Sequence, residues 1–61
     1  MELELKNRLR AANLKTVEEA QRANYSSPEY IAAGKELTAL VVEAFQKGYS
    51  VQEIGDAQNG F

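Results

Sequence analysis

Apolar positions in this chain recur at three- and four-residue intervals and almost nowhere in strict alternation. Only Glu2–Leu5 alternates, a stretch too short to specify a strand, and β-branched residues are few. The pattern predicts an all-α protein, a small bundle of three to four helices. Helix start and stop signals divide it into four segments.

The first segment is expected from about Glu2 to Ala12, where Leu5, Leu9 and Ala12 stand at i, i+4 and i+7 on one stripe. Glu2–Lys6 and Glu4–Arg8 are i,i+4 pairs in the favoured orientation, each contributing about 0.3 kcal/mol. Asn13 reads as a stop, because asparagine tolerates the left-handed conformation, and Leu14 would fold back as the hydrophobe after it. Thr16-Val17-Glu18-Glu19 then has the form of a capping box. It opens a short second helix to about Asn24, with Val17, Ala20 and Ala23 turned inward.

Ser27 before Pro28 marks the next start, since proline at the first helical position lacks only an N–H that has no partner there. The resulting helix, Pro28 to about Lys47, is expected to be the longest and to lie at the centre. Tyr30, Ala33, Leu37, Leu40 or Val41, and Ala44 make one apolar stripe, and Ile31, Thr38, Val42 and Phe45 make a second beside it. Glu29, Glu36 and Glu43 keep a narrow solvated strip. Gly48 ends this helix with Tyr49 as the returning hydrophobe. Ser50-Val51-Gln52-Glu53 is a second capping box, opening a short helix to about Gln58 that presents Val51 and Ile54. The corners at 13–20 and 48–54 resemble each other, as a weak repeat or as two tight corners with the same needs.

At 61 residues the chain is read as one domain, 1–61. A chain this short buries only about 60% of its unfolded surface. Disulfides, a metal or a partner usually make up the difference. Cysteine and histidine are both absent, which removes disulfides and the ligands that zinc, iron and copper prefer. No D-x-[DN]-x-[DN]-G loop offers a calcium site. No metal and no cofactor are expected, so a partner chain is the remaining support.

Catalytic residue types are equally scarce. There is no histidine for proton transfer and no cysteine nucleophile, and Ser26 and Ser27 are accounted for by the helix start. Glu18 and Glu19 diverge by about 100° on a helix, while Glu29, Glu36 and Glu43 lie about 10.5 Å apart, too far for a carboxylate pair. No glycine-rich phosphate loop occurs. The expectation is a protein that is not an enzyme.

The formal net charge of −2 disfavours general attraction to nucleic acid. The first 24 residues nevertheless carry five cations against four carboxylates, and Lys6, Arg10 and Lys15 are the candidates for a nucleic-acid face. Two short stretches resemble DNA-binding motifs. Leu9 to Ala20 is similar to the corner of a helix-hairpin-helix, with Asn13 where that family carries glycine. Gly48 to Gly60 is similar to the opening helix and turn of a helix-turn-helix, whose recognition helix would have to begin at Phe61.

The apolar arc of the 28–47 helix exceeds what three shorter helices are expected to cover, and a buried aliphatic or aromatic side chain stabilises by about 1.5–3 kcal/mol. The leading expectation is therefore a homodimer, the commonest closed assembly. Tyr30, Gly34, Leu37, Leu40, Val41 and Phe45 form the predicted interface, with Tyr25, Tyr49 or Phe61 open to a further protein partner. The functional reading is a small adaptor or regulator of the bacterial or bacteriophage accessory kind, and the alternative is a DNA-associated regulator. The longest apolar run, Ala39 to Val42, cannot span a bilayer, and the charged N-terminus is no secretory signal. A cytoplasmic protein is expected.

Overall fold

The computed structural model describes residues 1–22 and 26–60. They form three helices, α1 (Leu3–Gln21), α2 (Pro28–Gln46) and α3 (Val51–Gln58), with no strand among them. The fold is all-α. The expected second helix does not exist as a separate element, because α1 runs straight through the predicted corner.

Physical chemistry explains why the stop signals failed there. Asn13 stays helical and donates from its side-chain amide to the Gln58 carbonyl, 3.1 Å away in α3. Thr16 turns its hydroxyl back onto the Ala12 carbonyl at 2.9 Å, the i−4 bond that lets threonine sit inside a helix. Glu19, the expected partner in a capping box, is buried and meets Arg22 at 3.3 Å instead. The helix-hairpin-helix resemblance loses its corner, and the proposed repeat loses its first copy. The expected continuation to Ala23 and Asn24 lies outside the described residues.

The other boundaries follow their punctuation. The Ser27 hydroxyl accepts from the Tyr30 N–H at 3.1 Å, with Pro28 opening the helix. At the far end Gly48 adopts φ +90°. Its N–H donates to the Phe45 carbonyl, and the Tyr49 N–H reaches back to Ala44 at 3.2 Å. This paired closure satisfies two carbonyls that the helix end would leave open. Ser50 and Glu53 exchange both bonds of a capping box at 3.1 Å each and so start α3.

α1 and α2 pack as an antiparallel hairpin. Lys47 Nζ meets Glu2 at 2.6 Å and Arg8 meets Glu43 at 3.6 Å. Glu2 and Arg8 of the expected within-helix pairs thus reach between helices instead. α3 lies against α1, and α1 packs on both other helices whereas α2 and α3 barely meet. The central element is α1, contrary to expectation, and α2 is no longer than α1, at 19 residues each.

The core is small. Leu5, Leu9, Ala12, Leu40, Ala44, Ile54 and Ala57 form it, with Met1, Leu37, Val41 and Tyr49 packed against its edge. Among the described residues, only Leu5 and Leu9 of the large side chains are fully enclosed. Val51, expected to face inward, is exposed, and Ala57 takes that role. The Cα radius of gyration is 11.6 Å, against about 10.5 Å for a compact chain of this length. The excess has a simple cause: α3 has 8 residues and covers one end of a hairpin more than twice its length.

Candidate interaction surface

The site is built from the angular positions of residues on α2, where each step turns by about 100°. Ala33, Leu40 and Ala44 are buried on one side. Leu37 and Val41 flank them and touch the core edge. Continuing round the helix, Gly34, Phe45, Thr38, Ile31 and Val42 follow in turn before any carboxylate appears. The three glutamates of α2 lie together on the remaining arc, where Glu43 meets Arg8.

Half or nearly half of each large side chain on this outward arc faces solvent: 46% for Ile31, 47% for Val42 and 49% for Phe45. Thr38 is exposed too, and its hydroxyl is occupied by the Gly34 carbonyl at 2.9 Å. Tyr30, Ile31, Gly34, Lys35, Thr38 and Ala39 line an open groove here. A Cβ at Gly34 would meet nothing within 4 Å, so no contact among the described residues requires glycine. A glycine in a helix interior costs about 1 kcal/mol relative to alanine.

A second exposed area lies on α1. The Asn13–Gln58 bond marks where α3 stops along α1. Beyond that level, Leu14 and Val17 of α1 remain half-exposed.

The predicted interface residues separate into two groups. Gly34 and Phe45 lie on the outward arc, and Tyr30 and Val41 lie at its edge. Leu40 is a correction: it is buried in the chain's own core, where α1 and α3 enclose it, and cannot serve an interface. Leu37 is half-buried against that same core. Ile31, Thr38 and Val42 belong to the surface as well, and their signal was the second stripe, which the sequence alone could not show to be uncovered. Tyr25 and Phe61 lie outside the described residues, while Tyr49 is spent on the core and accepts the Glu2 N–H at 3.3 Å.

Lys6 and Arg10 stand one turn apart on the same side of α1, and Lys15 does not join them. Five residues separate Arg10 from Lys15, which sets them about 140° apart on α1. Lys6 shares a shallow depression with Glu53 and Asp56, and Lys15 shares another with Glu29 and Glu36. Arg10 lies over Gly60, where an added Cβ would approach its Nε to 3.1 Å. Placed there, its cation faces the carbonyl end of α3, a favourable position.

Electrostatics shapes the ends of the hairpin more than its outward face. The Lys47 ammonium holds the Glu2 carboxyl below its ordinary value, first by hydrogen bond and then by charge. The same bond holds Lys47 above its own. Backbone and hydroxyl bonds from Ser50 lower Glu53.

Among the described residues, no group of three or more acidic side chains could hold a metal ion, and no helix is long and apolar enough to cross a membrane. No family model matches the chain, and comparison with curated proteins and with solved structures yields no match.

Proposed function

We propose that this protein is a small non-catalytic helical adaptor or regulator that acts by binding another protein through the outward face of α2. One observation carries the reading: Ile31, Val42 and Phe45 stand half-exposed on a single carboxylate-free arc. Scattered exposed hydrophobes need no explanation, but a contiguous apolar patch on a protein surface marks a place of contact. Phe45 is the natural anchor, since aromatic side chains dominate the energetics of interfaces. Binding of nucleic acid has weaker support, because Lys15 stands about 140° from Arg10 on α1 and two of the three basic candidates sit beside carboxylates.

The test is affinity capture from lysate by the wild type and by the double variant Val42→Glu/Phe45→Glu, each with and without nuclease. A protein retained by the wild type, insensitive to nuclease and lost on the double variant is the expected result. Equal retention by both proteins would remove the α2 face from the reading. Retention that nuclease abolishes would transfer the function to the basic residues of α1.

A further inference from the structure

We infer that the outward face of α2 pairs with a second copy of the chain, α2 against α2 in antiparallel register, an inference that rests on the reading just given. Ile31, Thr38 and Phe45 repeat at seven-residue intervals, with Gly34 and Val41 between them at the spacing of a helix–helix seam. The two ends of this seam are unlike. Gly34 leaves a hole near one end, and Phe45 projects near the other.

A two-fold axis perpendicular to the helices matches them. In the register that layers the two kinds of seam position, Gly34 faces the second copy's Phe45, Thr38 faces its Val41, and the axis repeats both contacts. A parallel arrangement would set Phe45 against Phe45 and Gly34 against Gly34. The antiparallel pair places each knob in a hole. It also explains a glycine that no contact among the described residues requires.

Charge favours the same occupant. No seam residue is ionisable, and Glu29, Glu36 and Glu43 turn to the side where Lys15 and Arg8 lie. Two chains of net charge −2 can thus meet without opposing carboxylates. Lys35 is the one cation beside the seam, and the register brings it near the partner's uncharged Gln46. An acidic or basic partner would find little to pair with on this face. The thick and thin ends of the hairpin agree as well: the end covered by α3 stands beside the second copy's uncovered end.

The contact is small. From Ile31 to Phe45 the seam runs about 21 Å on the helical rise, whereas a standard interface buries about 800 Å² on each partner. The pair is therefore a weak, concentration-dependent dimer.

Sedimentation equilibrium from about 1 μM to about 1 mM tests this on three proteins: wild type, Phe45→Glu and Gly34→Leu. Circular dichroism of dilute samples establishes that each is folded. Wild-type mass should rise from 6.8 kDa toward twice that value. Phe45→Glu should stay at 6.8 kDa, and Gly34→Leu, whose Cβ would meet no described atom of its own chain within 4 Å, should dimerise at least about tenfold more weakly, about 1.4 kcal/mol. A wild type that remains monomeric throughout overturns the pairing, as does a mass increase that both variants retain. Self-pairing and partner binding separate cleanly: a monomeric wild type whose captured protein is still lost on Val42→Glu/Phe45→Glu ends the first and keeps the second.

Discussion

Asn13 donates its side-chain amide to the main-chain carbonyl of Gln58 at 3.1 Å, joining the middle of α1 to the last turn of α3 across 45 residues of sequence. The contact satisfies one of the carbonyls that the end of α3 leaves without a helical partner. It also fixes how far α3 reaches along the hairpin, and so where the uncovered apolar surface begins. Asn13→Ala should cost about 1 kcal/mol, the usual net effect of such a bond. Asn13→Gly should cost about 1 kcal/mol more, because glycine is a poor residue inside a helix. Urea unfolding followed by circular dichroism reads both. If Asn13 were instead a left-handed stop, glycine would be neutral or stabilising.

Thr16 provides an independent measurement of the same continuity. Its hydroxyl bonds back to Ala12 at 2.9 Å and caps nothing. Thr16→Ala should therefore leave stability within about 0.5 kcal/mol of the wild type, since back-bonding threonine does little for a helix. A true N-cap would lose about 1 kcal/mol on the same change.

What could be read from the sequence divides along physical lines. Pro28, Gly48, Ser50 and Glu53 announce their roles because each bond they make is local, spanning three to five residues. Leu5, Leu9 and Ala12 announce a core stripe because helical spacing alone puts them on one side. Asn13 and Thr16 mislead because both residues suit a helix end or a helix interior. A contact with Gln58, far away in sequence, decides between the two. Leu40 and Phe45 look alike in the apolar arc of α2, and only the packing of α1 on one side of that helix, which α3 barely meets, determines that the first is enclosed and the second left out. Lys6, Arg10 and Lys15 suggest a basic face by type, but the helical angle sets Lys15 apart and carboxylates lie beside Lys6 and Lys15.

The two serine caps should respond in parallel. Ser27 accepts from Tyr30 and Ser50 accepts from Glu53, each at 3.1 Å. Replacing either by alanine should cost about 1 kcal/mol, lowering the melting temperature by about 4–8 °C in a domain this small. Ser50→Ala should show a further sign. Glu53 keeps the bond from the residue-50 N–H, the larger cause of its lowered pKa, and loses the one from the hydroxyl, so its titration should move only part of the way back toward the ordinary carboxylate value.

Stability should depend on pH at both extremes and be flat between them. Glu2 and Glu53 have lowered values in the folded chain, through Lys47 and Ser50 respectively. Their contributions are complete above their ordinary value of 4.5 and disappear as pH falls through the lowered one. Lys47 is raised by Glu2, so its contribution is complete below 10.5 and is lost as pH rises through the higher folded value. Thermal unfolding across the pH range should show both declines. Lys47→Met should remove the alkaline decline and the Glu2 share of the acid one, leaving the Glu53 share. An unchanged alkaline decline in Lys47→Met would show that another group causes it.

The difference between the enclosed and outward sides of α2 gives the sharpest stability prediction. Leu40 is 3% exposed and Phe45 is 49% exposed, although they stand five residues apart on one helix. Leu40→Ala should cost about 2–5 kcal/mol through lost burial and the cavity left behind. A chain of this length has about 3–9 kcal/mol to lose, so Leu40→Glu should be unfolded at room temperature. Phe45→Ala, in contrast, should shift the stability of dilute protein by no more than about 0.5 kcal/mol, as surface changes do. Urea titration of the Leu40→Ala and Phe45→Ala variants at low micromolar concentration makes the comparison directly. Equal losses at the two positions would mean that Phe45 is enclosed within the single chain, and the outward face of α2 would no longer be free to bind a partner.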